Sequence, residues 1–272
     1  MGTMDGRVVL VTGAAGAIGK PMCVELAKRG ATVVMAGRGY KLGIAAKEVQ
    51  LASGSRRVQT LELDLGSLGS IRAAARSFEQ RFPRLDVLVN NAAVFSSDRQ
   101  TTASGFAQVL GVCHLGYFLL TNLLLARLKA SAPSRVVVMT MGSDKPIAFH
   151  ELMSEKNYAS LDVLLMTNRA NTCFAVELAK RLEGTGVVVN AVNPELTTST
   201  LPREAPLPLW MVFALFGEAP ESARRASLGT AVDAEREGVT GNVEKSIPAV
   251  YMDAAVRRRL WAESARLVGL AS

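Results

Sequence analysis

Apolar, β-branched runs alternate along the chain with longer stretches of helical periodicity. The short runs predict strands at Val8–Thr12, Thr32–Ala36, Val58–Leu63, Val87–Asn90, Val136–Thr140 and Val187–Val192. The longer stretches predict helices at Ala17–Lys28, Leu42–Ala52, Leu68–Gln80, Gly105–Leu128 and Leu164–Leu182. Strands that are apolar throughout and separated by helices are typical of parallel sheets covered on both faces. The chain is therefore predicted to be an α/β protein, with a doubly wound parallel sheet and helices on both sides.

The predicted domain organisation is a single unit over residues 1–272, because neither an internal repeat nor a low-complexity linker divides the pattern. One segment departs from the pattern: residues 201–221, LPREAPLPLWMVFALFGEAPE, combine prolines with a dense apolar centre. We expect this segment to be a lid that packs over a ligand crevice. The alternatives are a membrane-surface patch or a protein interface through Leu207–Phe216, because such a cluster is costly to leave in water.

The charge balance limits the possible partners. The net charge of +7 is spread among acidic residues, and no basic surface is interleaved with aromatic residues, so a nucleic-acid partner is not expected. The longest basic run, Arg257–Arg259, lies on a predicted helix. It is interpreted as a solvated helix face, with contact to an acidic protein partner or to anionic lipid as the alternatives.

The cysteines and histidines give no sign of a metal site. The three cysteines lie in apolar segments without paired spacing, which favours an intracellular, reducing compartment such as the cytoplasm or an organelle matrix. With only two histidines, a zinc site or a histidine-based triad is not expected. No apolar run reaches the roughly 18 residues that suggest a membrane span. A transmembrane segment is therefore not predicted. The predicted first strand also begins too early to leave room for a signal peptide or a membrane anchor.

A glycine-rich turn follows the first predicted strand. The sequence TGAAGAIG over residues 12–19 ends a strand and opens a helix. Glycines at such a turn let the backbone approach a pyrophosphate, and the helix N-terminus offers unpaired N–H groups to its charge. A dinucleotide cradle is therefore predicted, formed by Gly13, Ala15, Gly16, Ile18 and Gly19.

Residues at the ends of the next strands refine this prediction. Arg38 follows the second strand, where an acid would favour NAD and an arginine accommodates the 2′-phosphate of NADP. NADP(H) is thus the predicted cofactor. Asp64 and Leu65 follow the third strand and are expected to flank the adenine. Asn90 and Ala92 lie at the carboxyl end of the fourth strand, where ligands bind in such sheets.

With TGAAGAIG, AGR at 36–38, Asp64-Leu65 and NNAA at 90–93, the chain resembles the short-chain dehydrogenase/reductase superfamily. Within it, the chain is most similar to the retinol dehydrogenase-like, NADP(H)-preferring group. The similarity continues through HLGYFLLTNLLL at 114–125, FHELMSEKNY at 149–158, RANTCFAVELAKRL at 169–182 and RRLWAESARLVGL at 258–270. The resemblance implies a Rossmann-type sheet and hydride transfer between NADP(H) and a carbonyl or alcohol, often on lipophilic substrates.

The same resemblance implies an asparagine, a serine, a tyrosine and a lysine that carry the proton transfer. The tyrosine must give or take the proton, so its pKa has to fall from about 10 towards neutrality, which the lysine brings about. The matching positions in this chain hold Cys113, Met141, Leu164 and Asn168. Leucine and methionine side chains can neither donate nor accept the proton, so the catalytic residues of the family are absent.

Other polar residues could replace part of this chemistry. The candidates for the serine hydroxyl are Thr140 and Ser143, and Tyr158 and Tyr117 are the nearby phenols, both interpreted as structural. Downstream, Asn193-Pro194-Glu195 stands where the resemblance implies Pro-Gly near the nicotinamide, and Glu195 adds a carboxylate there. Ser199 or Thr200 could still supply a hydroxyl in that loop.

Two hypotheses follow from these residues. In the first, the chain is catalytically silent, binds NADP(H), and serves as a scaffold, a sensor or a subunit of a larger assembly. In the second, it is an active NADP(H)-dependent oxidoreductase of a lipophilic carbonyl or alcohol, with an unusual proton donor. A homodimer formed through the helices at 105–128 and 164–182 is an expectation by analogy with the fold.

Overall fold

The apolar runs form the strands of one sheet. The computed structural model describes residues 4–141, 143–154, 156, 158–192 and 253–271. The strands are β1 Val8–Thr12, β2 Thr32–Gly37, β3 Val58–Glu62, β4 Val87–Asn90, β5 Ser134–Met139 and β6 Val187–Val192. The longer helices are α1 Gly19–Lys28, α2 Gly39–Ser53, α3 Leu68–Arg81, α5 Gly116–Ala130, α6 Ser160–Arg181 and α7 Ala254–Val268, and α4 is the short turn Gln108–Leu110.

The strand order places a topological switch point between β1 and β4. The order is β3-β2-β1-β4-β5-β6, and every neighbouring pair is parallel. The chain builds outward from β1 in one direction and then crosses to the other side of it at β4. In open parallel sheets, ligands bind outside the carboxyl ends of the strands at such a switch point. The predicted doubly wound fold is confirmed.

Alternate residues of β1 face different hydrophobic cores. Val9 and Val11 belong to a core that includes Met22 of α1 and Val49 of α2. Leu10 belongs to the other core, which is built with α3, α5, α6 and α7. Because successive strand side chains point to opposite faces, a strand covered on both sides must be apolar throughout. The continuous apolar run over β1 therefore reflects burial on both faces.

The helix predicted over 105–128 is divided in the structure. A π-helical turn, Gly111–Leu115, separates α4 from α5. Close packing accompanies this turn: a Cβ atom on Gly111 would lie 2.7 Å from Thr102 Cγ2, and one on Gly116 would lie 2.9 Å from the Leu65 carbonyl oxygen. Turns of the π type occur within α-helices, frequently at functional sites. The periodicity alone did not indicate this interruption.

One run of helical residues, Gln108–Ala130, is long and apolar enough to cross a membrane by length and composition. Of its most apolar window, 72% is buried inside the fold. A core helix of a globular protein meets the same criterion, so this run is weak support for a span. The expectation that the chain has no transmembrane segment stays a prediction.

The prediction that Arg257–Arg259 form a solvated helix face is wrong for Arg257. Arg257 is 2% exposed, and its Nε atom lies 3.5 Å from the Glu177 carboxylate of α6. Because a buried charge needs a partner, this pair explains why an arginine is tolerated in the α6–α7 interface. Arg258 and Arg259 remain exposed, and Arg259 lies over the Phe149 ring at 4.2 Å.

The predictions for residues 201–221, Glu195, Ser199 and Thr200 lie outside the described residues.

Candidate functional site

The glycine turn between β1 and α1 packs against the loop that follows β4. Gly13 has a φ of +62°, and a Cβ atom there would lie 2.7 Å from the Ala92 Cα atom. A Cβ atom on Gly19 would lie 2.5 Å from the Gly13 carbonyl oxygen. A side chain at either position would collide with backbone, so the turn requires glycine at both. Ala92, predicted to bind the cofactor from the end of the fourth strand, therefore lies directly against the turn.

The start of α1 has neither a capping side chain nor an acidic residue in its first turn. Its N-cap residue is Ile18. Ala15 and Gly16 are exposed at the same end of the helix. The first N–H groups of a helix lack intrahelical acceptors and lie at the positive end of its dipole. These residues therefore fit the pyrophosphate of a dinucleotide.

Thr12 and Asn91 hold the crevice between β1 and β4 in shape. Thr12 Oγ1 donates to the Val89 carbonyl at 3.2 Å and accepts the N–H groups of Asn91 at 2.9 Å and Ala92 at 3.1 Å. Asn91 Nδ2 donates to the Thr12 carbonyl at 2.9 Å. Neither residue was among the predicted site residues. Two features of the sequence could have identified them: Thr12 stands at the end of the first strand, and Asn91 is the second of two adjacent asparagines.

Two predicted cofactor residues have their side chains in the core. Asn90 is fully buried, and its Nδ2 donates to Thr121 Oγ1 of α5 at 3.0 Å. Leu65 is 6% exposed and packs against Gly116 of α5. The structure therefore gives both side chains a packing role. A direct contact of either side chain with a cofactor stays an untested prediction.

Arg38 and Asp64 lie together at the ends of β2 and β3. The Arg38 side chain is 69% exposed, and its guanidinium is 3.9 Å from the Asp64 carboxylate. That carboxylate also accepts the Gly66 N–H at 2.9 Å. An exposed ion pair at this distance contributes little to stability. The Arg38 guanidinium is therefore available to bind a phosphate, for which its planar donors are suited.

The positions matched to the catalytic residues meet in an apolar cluster. Cys113 and Leu164 are buried in it, and Met141 packs at its edge. The other buried members are Phe95, Val109 and Val163, and Val94, Val112 and Tyr158 are partly buried against them. The structure thus brings the substituted positions together, as the resemblance implies. The cluster is hydrophobic where the resemblance implies proton-transfer groups.

Cys113 is held as a neutral thiol. Its Sγ atom accepts the Val94 N–H at 3.3 Å and donates to the Val94 carbonyl at 3.7 Å. Burial raises the pKa of this thiol to about 11. The Cys113 carbonyl, in the π-helical turn, accepts Asn171 Nδ2 at 2.9 Å. Because the thiolate is the reactive form of cysteine, Cys113 is a poor nucleophile or base at neutral pH.

Asn168 connects α6 to the end of β5. Its Oδ1 accepts the Met141 N–H at 2.7 Å, and its Nδ2 donates to the Leu164 carbonyl at 2.9 Å. Thr140 Oγ1 donates to the Asn168 carbonyl at 2.9 Å. Asn168 is uncharged and only 8% exposed. It therefore stabilises the backbone and cannot supply the positive charge of a lysine.

The pKa values of Tyr158 and Tyr117 are shifted away from the range that proton transfer needs. Tyr158 donates to the Ser96 carbonyl at 2.7 Å, and burial raises the pKa of its hydroxyl. Tyr117 donates to the Ala92 carbonyl, and burial raises the pKa of Tyr117 well above its usual value. A general acid working near neutral pH needs the opposite shift. Ser143, the other hydroxyl considered, accepts the Lys145 N–H at 3.1 Å within its own turn.

Among the described residues, no three histidine, cysteine, aspartate or glutamate side chains gather as a metal site would require. His114 is fully buried and is bonded to Asn171 Oδ1 at 3.1 Å and Ser264 Oγ at 2.9 Å. These bonds connect the π-helical turn to α6 and α7. We therefore assign His114 to the core.

Comparison with known proteins places this geometry among dehydrogenases. The family model described as short chain dehydrogenase matches residues 7–206, which include the glycine turn and Cys113, Met141, Leu164 and Asn168. Human retinol dehydrogenase 11 is 40% identical over 277 residues, covering 98% of this chain and 87% of that protein.

Solved structures share the fold over most of the chain. An uncharacterised protein from Mycobacterium paratuberculosis superimposes with a TM-score of 0.78 and 27% identity, covering 98% of this chain and 94% of that chain. A 3-ketoacyl-(acyl-carrier-protein) reductase from Brucella melitensis, solved with NADH, superimposes with a TM-score of 0.68. It is 21% identical and covers 87% of this chain and 95% of its own, so it bears on the fold alone.

Proposed function

Since the chain belongs to the short-chain dehydrogenase family, we propose that it is a catalytically silent member that binds NADP(H). In this proposal it serves as a scaffold, a sensor or a subunit of a larger assembly. The observation that carries the proposal is the apolar cluster in which Leu164 is buried beside Cys113 and Met141. The proposed contact surfaces are Leu207–Phe216 and the exposed Arg258 and Arg259.

Proton transfer is the step that these residues do not support. Hydride transfer to a carbonyl leaves an oxygen that must receive a proton from a group within hydrogen-bond reach. Leu164 and Met141 have no such proton, and the Cys113 thiol is engaged with Val94. Loss of a general acid lowers the rate by roughly 10²- to 10⁴-fold. Substitution of the other positions is expected to lower it further.

Cofactor binding is supported by the residues that remain at the other end of the crevice. The turn from Gly13 to Gly19 would hold the pyrophosphate, and Arg38 would bind the 2′-phosphate. NADPH would supply a hydride when bound. The preference for NADP over NAD is part of the proposal and depends on Arg38.

One experiment tests both parts of the proposal. NADPH is titrated into the full chain by calorimetry, and oxidation of NADPH with all-trans-retinal is followed in the same preparation. We expect binding without turnover above the protein-free rate. Arg38→Glu should weaken binding at least tenfold, whereas Arg258→Glu, the same charge change on the exposed face of α7, should not.

Each contrary result removes a different part of the proposal. Turnover that scales with protein concentration would overturn catalytic silence. A wild-type protein that binds no NADPH would overturn the cofactor role and leave a scaffold that retains only the fold.

A second candidate function is an active NADP(H)-dependent oxidoreductase of a lipophilic carbonyl or alcohol. It is supported by the 40% identity to a retinol dehydrogenase. Tyr158, which packs against the apolar cluster, is the phenol available as an unusual proton donor. If turnover is observed, Tyr158→Phe should abolish it under this candidate.

A further inference from the structure

An open depression lies at the amino edge of the sheet, opposite the edge that carries the glycine turn. Its volume is about 500 Å³, and side chains at the starts of β2 and β3 and at the end of α3 line it: Thr32, Arg56, Arg57, Gln59, Arg81 and Phe82. Thr32 is the first residue of β2 and Gly37 is the last. At about 3.3 Å per residue, the strand places the depression roughly 17 Å from the end that leads to Arg38. The depression is therefore separate from the predicted cofactor site.

The depression is positively charged. Three of its lining residues are arginines, and none of the described residues that line it is acidic. The Asp5 carboxylate lies 3.5 Å from Arg57 Nη1 and offsets part of this charge. Like charges that share one surface repel each other, and a bound anion would relieve that repulsion. The charge of the depression thus favours a negatively charged ligand.

Two of the three guanidiniums are held in position by the fold. Arg57 Nη1 also donates to the Gly30 carbonyl at 3.1 Å. Arg81 Nη1 donates to the Thr60 carbonyl at 3.0 Å, and the Arg81 guanidinium lies over the Phe82 ring, 5.1 Å from its centroid. These hydrogen bonds engage one nitrogen of each side chain, whereas a guanidinium has five N–H donors. The other donors of both side chains have no partner in the described part of the chain.

Arg56 makes no such contact. Its side chain is exposed, and neither a hydrogen bond nor an ion pair joins it to another residue that the structure describes. Packing and helix-end contacts therefore account for Arg57 and Arg81 but not for Arg56. Together the three side chains place a set of unpaired N–H donors around one depression.

We propose that Arg56, Arg57 and Arg81 form a second binding site, which takes a phosphate-bearing anion. The planar donors of a guanidinium match the oxygens of a phosphate in pairs, and such charge-assisted bonds are strong. The ligand class is a phosphate group with two or more negative charges, carried by a small molecule in solution or by a lipid as its headgroup. Small-molecule sites have volumes of roughly 300–1,000 Å³, so the depression has room for a group attached to the phosphate. This site goes beyond the proposed function and does not depend on NADP(H) binding.

The probe is pyrophosphate, titrated by calorimetry into the full chain with NADPH present to occupy the cofactor site. We expect one saturable site per chain. Arg56→Glu should weaken binding about tenfold or more, because a charge-assisted hydrogen bond is lost and a repulsive charge is added. Since the Arg56 side chain is exposed and unbonded, the variant should keep the wild-type unfolding midpoint.

Two control variants make the same charge change elsewhere. Arg258→Glu alters the exposed face of α7, and Arg38→Glu alters the predicted cofactor site. Both should bind pyrophosphate with the wild-type affinity, because neither residue lines the depression.

Vesicle sedimentation distinguishes the two sources of the anion. The full chain is sedimented with phosphatidylcholine vesicles that either contain or lack phosphatidic acid, whose headgroup is a phosphate monoester. Sedimentation that needs both phosphatidic acid and Arg56 would assign the site to a lipid headgroup. Pyrophosphate binding without sedimentation would assign it to an anion in solution.

Three results would overturn the proposal. The first is that neither pyrophosphate nor the vesicles with phosphatidic acid bind the chain. The second is that Arg56→Glu binds as tightly as the wild type, or that Arg258→Glu weakens binding by the same factor, since binding would then follow net charge alone. The third is loss of pyrophosphate binding in Arg38→Glu but not in Arg56→Glu, which would place the anion in the cofactor site instead.

Discussion

The side-chain oxygen of Asn168 accepts the Met141 N–H at 2.7 Å, so two of the substituted positions are bonded directly to one another. Asn168 stands where a lysine is implied and Met141 where a serine is implied. In this chain both serve to join the end of β5 to α6. In an active site, the polar atoms at these positions would face the ligand and the substrate. In this chain they stabilise the fold. This relationship gives the two positions a structural role in the packing of β5 against α6.

We predict that Asn168→Leu destabilises the protein by about 1–3 kcal/mol, because it removes the amide that accepts the Met141 N–H and donates to the Leu164 carbonyl. The measurement is urea unfolding, in which the midpoint should fall while the slope stays constant. Asn122→Leu on α5 is the control, since its amide bonds only to the Phe118 carbonyl of the same helix. Equal losses in the two variants would contradict the role assigned to Asn168.

The glycine turn gives a second prediction. Gly13→Ala should cost about 2 kcal/mol, because a side chain at φ +62° is strained and its Cβ would meet Ala92. NADPH binding should be lost at the same time. Gly43→Ala in α2 is the control: nothing lies within 4 Å of its Cβ position, and the change should stabilise the helix by about 0.5–1 kcal/mol. The measurement is the thermal unfolding midpoint of each variant. Equal midpoints for Gly13→Ala and Gly43→Ala would refute the prediction.

The strands were predictable because burial on both faces leaves a strong local pattern. β1, β4 and β6 have the predicted bounds, since nearly every position of a covered strand must be apolar. The glycine turn was also predictable, because its close approaches admit only glycine at Gly13 and Gly19. In each case the residue type is imposed by geometry within a short stretch of chain.

Features that depend on distant partners were not predictable in this way. Arg257 lies in a basic run, and a partner for its buried charge, Glu177, lies on another helix. Of the two adjacent asparagines at the carboxyl end of β4, the sequence did not indicate that Asn90 bonds to α5 and Asn91 holds the glycine turn. The π-helical turn likewise depends on packing of Gly111 against Thr102. Local periodicity contains no information about these tertiary contacts.

His114 makes stability depend on pH. Burial lowers its pKa to about 4 from an ordinary value of 6.5, so the unfolded chain binds a proton more readily than the folded one between these values. Stability from this group is therefore complete above about pH 6.5 and is lost as the pH falls towards 4. At roughly 1.4 kcal/mol per pKa unit, the loss amounts to about 3 kcal/mol.

Unfolding free energies at pH 7 and pH 4.5 provide the measurement for His114. His114→Gln should reduce the difference between the two values. Other titrating groups also make the unfolding free energy depend on pH, and their contribution is the same in the variant and the wild type. The same substitution at the exposed His150 is the control and should leave the difference as in the wild type. A His114→Gln protein with the wild-type pH dependence would contradict the assignment.

Restoring the implied residues should restore chemistry. The variant Cys113→Asn, Met141→Ser, Leu164→Tyr and Asn168→Lys returns a phenol, an ammonium and a hydroxyl to positions that the structure brings together. We expect NADPH-dependent reduction of all-trans-retinal at least 10²-fold above the wild-type rate, in line with the roughly 10²- to 10⁴-fold contribution of a general acid.

The matched control for this variant has phenylalanine at position 164 with the other three changes retained. It keeps the ring volume and removes only the hydroxyl, so a packing effect and a proton-transfer effect give different results. Activity in the tyrosine variant alone would assign the gain in activity to the proton donor. Binding of NADPH by both variants with activity in neither would show that restoring these positions is insufficient, and that the missing function lies elsewhere in the chain.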